Sequence, residues 1–159
     1  MGGSPLLINC GRAWAFALGF TLAAATPAVA SEVWGTTREL VRASYGVTYW
    51  NQSYAENSGS TSSYQTVTTA SQEMRAGFMG TKARLYKDAA VDYLCEQTSF
   101  WYPDTPTKQH WAVGTYGGSG DNGGCGDGYF YSSGQSNIWL SKQWYTHNAY
   151  RTPNIYMID

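Results

Sequence analysis

The chain of 159 residues carries 10 lysines and arginines against 11 aspartates and glutamates, and 16% of its residues are aromatic. Its basic residues are scattered and form no block, so the charge pattern gives no reason to expect nucleic acid or a polyanionic surface as partner. Tyr, Thr, Ser, Gly and Trp are abundant, and these strand- and turn-forming residues indicate an all-β protein.

The first thirty residues have the pattern of a secretory signal peptide. Arg12 precedes the apolar run 13–25, and Ala28-Val29-Ala30 forms an A-x-A cleavage site. The run is shorter than the roughly 20 apolar residues that a membrane-spanning helix needs. We therefore expect residues 1–30 to be cleaved and residues 31–159 to form a single secreted domain of bacterial type, without a transmembrane segment.

Two of the three cysteines follow the predicted cleavage site. An even number of cysteines in an exported chain usually means a disulfide, so we predict that Cys95 pairs with Cys125. The alternative is a reactive or metal-binding thiol, which the absence of C-x-x-C spacing and the oxidising compartment both disfavour.

In chain order, residues 37–43 have a weakly helical pattern that is too short to decide. Strands are predicted at 45–50 and 64–69, on either side of a polar stretch, 51–63, predicted as a loop. Residues 80–87 alternate between apolar and charged side chains, which is typical of a half-buried strand. Residues 93–102 are again strand-like, and the two segments together predict an antiparallel hairpin.

Further strands are predicted at 109–116, 129–132, 137–140 and 144–150, followed by a turn at 151–154. The glycine-rich segment 117–128 is predicted to be a loop that Cys125 ties to the hairpin. About seven short strands separated by turns predict an antiparallel β-sandwich or a small barrel, and the sequence does not choose between them.

The glycine-rich loop also suggests calcium, because Asp121, Asn122 and Asp127 offer the oxygen ligands that calcium prefers. The spacing does not fit an EF-hand, since the twelfth position counted from Asp121 is Ser132 and not a glutamate. We therefore predict a polar turn here, with no metal and no cofactor.

A hydrolytic function would need a general base or a pair of carboxylates. His110 and His147 are the only histidines, and neither lies in a catalytic signature. Two carboxylates could converge to cleave a glycoside, and the candidates are Glu56, Glu73, Asp88, Asp92, Glu96 and Asp104. We predict no catalytic residue, and a small secreted hydrolase remains one alternative function.

A binding surface is better supported, because flat aromatic rings beside amide and hydroxyl groups suit the recognition of sugars or proteins. The densest aromatic group lies in 139–148, although neighbouring residues of a strand face opposite sides. The predicted ligand-binding residues are Trp111, Trp139, Trp144 and Tyr145. The leading interpretation is non-catalytic binding at the cell envelope, with cell-wall glycan or an envelope protein as partner.

Several short motifs between residues 45 and 102 follow one another in the order found in a known family. They are Tyr45-Gly46-Val47, the Ser/Thr-rich segment 61–69, Arg75-Ala76-Gly77 and Ser99-Phe100-Trp101-Tyr102. In these motifs the chain resembles the lactococcin 972 type of bacteriocin, small secreted β-sandwich proteins of Gram-positive bacteria that disturb cell-wall synthesis. The chain departs from that pattern by continuing beyond Tyr102 and by carrying Cys95 and Cys125. The resemblance implies an antibacterial protein acting on the envelope of competitor cells.

Overall fold

The computed structural model describes residues 31–42, 46–59, 61–116 and 125–158. The predicted signal peptide and most of the glycine-rich loop, including Asp121 and Asn122, lie outside these ranges. The described residues form twelve strands and no helix, so they contain no helix that could cross a membrane. The strands are β1 (Ser31–Trp34), β2 (Arg38–Arg42), β3 (Thr48–Asn57), β4 (Ser62–Met74), β5 (Met79–Lys82), β6 (Arg84–Lys87), β7 (Tyr93–Gln97), β8 (Thr107–Tyr116), β9 (Gly128–Ser132), β10 (Gln135–Leu140), β11 (Gln143–Asn148) and β12 (Ile155–Met157).

The first layer is a five-stranded antiparallel sheet with the order β1-β3-β4-β8, in which β2 also pairs with β3. Strands β1 and β2 pair with successive halves of β3 and together form one edge of the sheet. Between them, the backbone N–H of Gly35 donates to the carbonyl of Ser53 at 2.8 Å. The edge is therefore nearly continuous, with a local irregularity at 35–37.

The second layer consists of two antiparallel sheets, with the orders β11-β10-β5 and β12-β9-β6-β7. They are joined through the chain itself, because β5 runs into β6 after Ala83 alone and β9 runs into β10 after Ser133 and Gly134. The three sheets form no closed barrel. The predicted all-β antiparallel sandwich is confirmed.

Two hydrophobic clusters fill the space between the layers. The larger cluster joins strands β3, β4 and β8 of the first sheet to β6, β9 and β12, and its buried members are Ala55, Tyr64, Ala83, Leu85, Ala112, Tyr116, Phe130, Ile155 and Met157. The smaller cluster contains Val47, Tyr49, Ala70, Met79 and Ile138. Burial of these side chains is the main favourable term for folding.

A row of polar side chains, which we call the polar layer, separates the two clusters. Its first-sheet members are paired in register across β3, β4 and β8, and its second-layer members across β5, β10 and β11. Thr68 Oγ1 shares a hydrogen bond of 2.6 Å with Ser136 Oγ and accepts another of 2.8 Å from Thr81 Oγ1. Side-chain hydrogen bonds therefore connect the two layers at mid-sandwich. The polar layer consists of Asn51, Thr68, His110, Thr81, Ser136 and His147.

The structure corrects the prediction of a loop at 51–63. Strand β3 continues to Asn57 and pairs with β4 without interruption from Tyr49↔Ala70 to Asn57↔Ser62. The polar residues of this stretch alternate, so that Ser53 faces the interior and its neighbours face outward. Composition suggested a turn, whereas pairing on both sides of β3 determines a strand.

The described part of segment 37–43, residues 37–42, is likewise not helical, since β2 (Arg38–Arg42) pairs with β3. The predicted strand at 80–87 is present but divides at Ala83 into β5 and β6, and β6 pairs with β7 as the predicted hairpin. The described ranges contain twelve strands where the sequence predicts about seven, because this division adds one strand and because β1, β2 and β12 were not predicted.

The predicted disulfide is confirmed. Cys95 of β7 is bonded to Cys125, with Cα atoms 6.0 Å apart. Lys87 Nζ donates to the backbone carbonyls of Cys125 and, at 3.0 Å, of Asp127. Residues 125–128, the described part of the glycine-rich segment, are thus fixed by the disulfide and by the hydrogen bonds of Lys87. In the described part of the chain no three His, Cys, Asp or Glu side chains are grouped so as to hold a metal ion.

Candidate binding site

The outer face of the first sheet carries a pocket of about 270 Å³, which we call the tryptophan pocket. Alternation along the strands sends every second side chain of β3, β4 and β8 to this face. Trp50 lies opposite Thr69, which lies opposite Gln109. The next row brings Gln52, Val67 and Trp111 together. The pocket is lined by Trp34, Thr37, Trp50, Asn51, Gln52, Val67, Thr69, Gln109 and Trp111.

Trp34 reaches over the sheet from its edge. Its ring centroid is 4.4 Å from that of Tyr54 and 6.3 Å from that of Trp111, which it meets edge to face. Edge-to-face contacts of this kind are favourable arrangements of aromatic rings. Trp34 is nevertheless 45% exposed, so part of its ring surface is available at the pocket.

The backbone next to Trp34 is fixed from two sides. Gln52 Nε2 donates to the carbonyl of Gly35 at 2.8 Å, on the pocket side of the sheet. A Cβ atom on Gly35 would lie only 2.8 Å from the carbonyl oxygen of Tyr150. Glycine is therefore required at this position, and the close approach of these segments holds the end of β1 where Trp34 faces the pocket.

Two glutamates lie beside Trp34 along the same face. Glu32 is directly opposite Glu56 in the register of β1 and β3. Tyr54 Oη donates to both carboxylates, at 3.2 Å to Glu32 and 2.9 Å to Glu56. Burial, and then the charges and hydrogen bonds of the two glutamates, raise the pKa of Tyr54. This end of the face is thus negative, and the Tyr54 hydroxyl remains protonated.

Of the four residues predicted to bind ligand, only Trp111 lies in the tryptophan pocket. Trp139 and Trp144 are opposite each other on β10 and β11, with ring centroids 5.1 Å apart. Tyr145 is opposite Ile138 and lies on the other face of β11 from Trp144. The sequence grouping therefore divides among three surfaces.

The aromatic cluster around Trp139 and Trp144 is packed on itself. Tyr102 contacts Trp144 edge to face at 5.3 Å, and its ring covers Gly80, where a Cβ would lie 2.5 Å from it. Asn137 Nδ2 donates to Tyr102 Oη at 3.0 Å, and Asn137 Oδ1 accepts from Thr146 Oγ1 at 3.0 Å. The side chains of Asn137, Tyr102 and Thr146 therefore satisfy one another's hydrogen bonds within the cluster, as expected for a small core on the outside of the sheet.

Trp34 and Trp50 are the pocket tryptophans that sequence reasoning missed, together with the amide, hydroxyl and valine residues of the lining. The available signal was the alternation Trp50-x-Gln52, Val67-x-Thr69 and Gln109-x-Trp111, which places aromatic and polar side chains on a common face once the strands are paired. Density of tryptophan along the chain was a poorer guide than alternation, because adjacent strand residues point in opposite directions.

The two histidines lie in the polar layer, and His110 points away from the pocket on β8. The Nε2 atom of each is buried and has no hydrogen-bond partner among the described residues. Burial lowers the pKa of His110, partly opposed by its hydrogen bond to the Trp101 backbone and by Asp104. Burial and then the positive charge of Arg38 lower the pKa of His147. Both imidazoles are therefore neutral at neutral pH.

Acidification is expected to destabilise the fold through these histidines. In the unfolded chain they take up protons near pH 6.5, whereas the folded protein resists protonation to lower pH. The contribution of each neutral histidine to the free energy of unfolding is therefore complete above about pH 6.5. It decreases as the pH falls toward the pKa of the folded state, by at most about 1.4 kcal/mol per pH unit for each histidine. Denaturant unfolding at about pH 7.5 and about pH 5.5 measures this loss.

The substitution H147Q is expected to reduce this dependence, since glutamine does not titrate. If the wild-type protein has the same free energy of unfolding at both pH values, the two histidines are not buried in the neutral form.

In chemical terms, the tryptophan pocket presents aromatic faces, the amides of Gln52 and Gln109 and the hydroxyl groups of two threonines, while the side chain of Asn51 belongs to the polar layer. Its lining residues include no charged side chain. Aromatic faces bind apolar C–H surfaces, while amides and hydroxyls exchange hydrogen bonds with ligand hydroxyls.

Comparison of the chain with protein-family models, with curated proteins and with solved structures finds no match.

Proposed function

We propose that this protein is a secreted, non-catalytic domain that binds extracellular or cell-envelope glycan through the tryptophan pocket. The observation that carries the proposal is the convergence of Trp34, Trp50 and Trp111 with amide and hydroxyl side chains on one exposed sheet face. The signal-like segment 1–30 supports export, and the disulfide is compatible with it, since disulfides persist mainly in oxidising compartments.

Sugar rings combine apolar C–H faces with hydroxyl groups around their edges. Stacking on tryptophan removes the apolar faces from water, and Gln52, Gln109 and Thr69 are placed to exchange hydrogen bonds with the hydroxyls. Because paired strands carry these side chains, binding requires little ordering of the protein, which reduces its entropic cost.

The substitution W111A tests the pocket directly. Loss of its ring is expected to weaken binding at least tenfold, a change of about 1.4 kcal/mol or more in binding free energy. Binding is measured by sedimentation of the oxidised protein with intact Gram-positive cells, purified peptidoglycan and an unrelated insoluble polysaccharide. Thermal unfolding of the variant establishes that it is folded.

The substitution W144A is the discriminating partner of W111A. Trp144 is 42% exposed on the second layer and belongs to the self-packed cluster, so its loss is expected to leave sedimentation unchanged. If W144A abolishes binding and W111A does not, the binding surface is the β10–β11 hairpin. If the wild-type protein sediments with none of the three materials, the proposed function is wrong.

The resemblance of residues 45–102 to the lactococcin 972 type favours a second candidate, an antibacterial protein acting on the envelope of competitor cells. This candidate predicts inhibition of growth by the purified protein, which a passive binder would not cause. Release of soluble sugar from a bound polymer would instead favour a hydrolase, and E56Q would then be the first variant to assay.

A further inference from the structure

The size of the tryptophan pocket limits what it can enclose. Its volume of about 270 Å³ equals the share of about nine water molecules in the liquid, at about 30 Å³ each. The pocket therefore has room for a sugar ring. The contact between the Trp34 and Trp111 rings borders one side of it, so a sugar ring bound there lies against aromatic surface.

Charge limits the ligand further. The residues that line the pocket are tryptophan, threonine, asparagine, glutamine and valine. A carboxylate or phosphate enclosed there would lose hydration without gaining a cation, which is costly. Arg38, next to Thr37 in the chain, points to the opposite face, where Nη1 donates to the carbonyl of Asn148 at 2.7 Å and the guanidinium lies over the Tyr150 ring.

The surroundings of the pocket oppose an acidic ligand as well. Glu32 and Glu56 lie on the same face, and Tyr54, which donates to both, packs against Trp34. The hydroxyl hydrogen of Tyr54 is thus already used by the protein. At low ionic strength, where the Debye length reaches about 30 Å at 0.01 M salt, these two negative charges act across the width of the pocket.

We infer that the tryptophan pocket selects an uncharged sugar unit of a glycan and rejects acidic units. The inference rests on the proposed function and specifies its ligand class. It places hexoses and N-acetylhexosamines among the acceptable units. Units with a free carboxylate or phosphate, such as uronic acids, are excluded.

The test uses soluble polysaccharides in matched pairs. Uncharged glucan, mannan and galactan and a chitin oligosaccharide are each compared with a carboxymethylated or C6-oxidised derivative, in low-salt buffer. Quenching of tryptophan fluorescence in the full oxidised protein gives the two affinities of each pair. We expect at least one uncharged probe to bind, and its acidic derivative to bind at least tenfold more weakly.

A gain-of-function variant separates charge from size. Gln109 is an exposed residue of the lining, so Q109K adds a cation at the pocket, and Q109M removes the amide at similar length without adding charge. The readout is the ratio of the affinities for the two members of a pair. Q109K is expected to reduce this ratio severalfold relative to Q109M.

The outcomes distinguish the inference from the function beneath it. Equal affinities for the uncharged and acidic members of a pair overturn charge selection and leave glycan binding intact. A ratio that Q109K and Q109M change equally also overturns it, because the discrimination would then not be electrostatic. Failure of every probe to bind overturns the inference, and the sedimentation assay then decides separately whether the proposed function stands.

Discussion

Replacement of Gly134 by alanine is expected to destabilise the protein by at least about 3 kcal/mol. Gly134 lies at the bend between β9 and β10, where the second layer crosses the first. A Cβ atom there would be 1.9 Å from Thr66 Oγ1 and 2.3 Å from the carbonyl oxygen of Lys82. Neither neighbour can move freely, since Thr66 is fully buried and Lys82 belongs to β5. The backbone N–H of Gly134 also donates to Ser53 Oγ at 3.1 Å.

The matched control for this prediction is S133A, one residue earlier. Ser133 Oγ donates to the carbonyl of Ala149 at 3.0 Å, and loss of that single bond is expected to cost about 1 kcal/mol. Denaturant unfolding of both variants under oxidising conditions gives the comparison. A G134A protein no less stable than S133A would show that the two layers do not meet as closely as described.

Removal of the disulfide is expected to lower stability by about 3 to 4 kcal/mol. The bond spans a sequence separation of 30 residues, and the chain-entropy model gives this magnitude for a loop of that size. Because both sulfur atoms also pack against the larger hydrophobic cluster, the double variant C95A/C125A loses some apolar contact in addition. Denaturant unfolding of the variant and of the wild-type protein measures the difference.

Reduction provides an internal control for the double variant. A thiol reductant is expected to destabilise the wild-type protein by nearly the same amount and to leave C95A/C125A unchanged. A loss below about 1 kcal/mol in both experiments would mean that the unfolded chain is already restricted in this region, so that the bond constrains little.

The parts of the fold that were predictable from the sequence are those where local pattern and tertiary pairing agree. Residues 80–87 alternate in polarity because one side of β5 and β6 faces the core, and this alternation is visible in the chain itself. The pairing of Cys95 with Cys125 was predicted from the signal-like pattern of residues 1–30 and the even number of cysteines that follow it. Both inferences need no knowledge of distant strands.

The continuation of β3 through Asn51 and Ser53 could not be predicted in this way. The interior that these residues face is itself polar: Ser53 lies opposite Thr66, and Asn51 lies opposite Thr68. Asparagine and serine usually indicate turns because their side chains compete for backbone hydrogen bonds. Here distant strands supply partners instead, since Asn51 Nδ2 donates to the backbone carbonyl of His147 at 3.5 Å and Ser53 Oγ accepts from the backbone N–H of Gly134 at 3.1 Å. No local pattern reveals these partners.

The candidate site was predictable in kind but not in place. Aromatic richness indicated a binding surface, and Trp111 was named among its members. The grouping of Trp111 with Trp34 and Trp50 depends on pairing across β1, β3, β4 and β8, which joins residues far apart in the chain. The tryptophans that are close in sequence, Trp139 and Trp144, pack against each other on a different sheet.

The polar layer has a consequence for how the strands align. If β4 slipped by one residue against its neighbours, Val67 would enter the interior and Thr68 would turn outward, away from Ser136 and Thr81. The slipped arrangement would leave buried hydroxyl groups without partners, in addition to moving interior apolar side chains of β4 to the solvent side. Trp50 and Trp111 directly adjoin Asn51 and His110 on β3 and β8, so the orientation that places these two polar-layer residues inside also turns the tryptophans to the solvent side. A reversal of either strand would bury an indole ring in the polar layer and remove it from the surface.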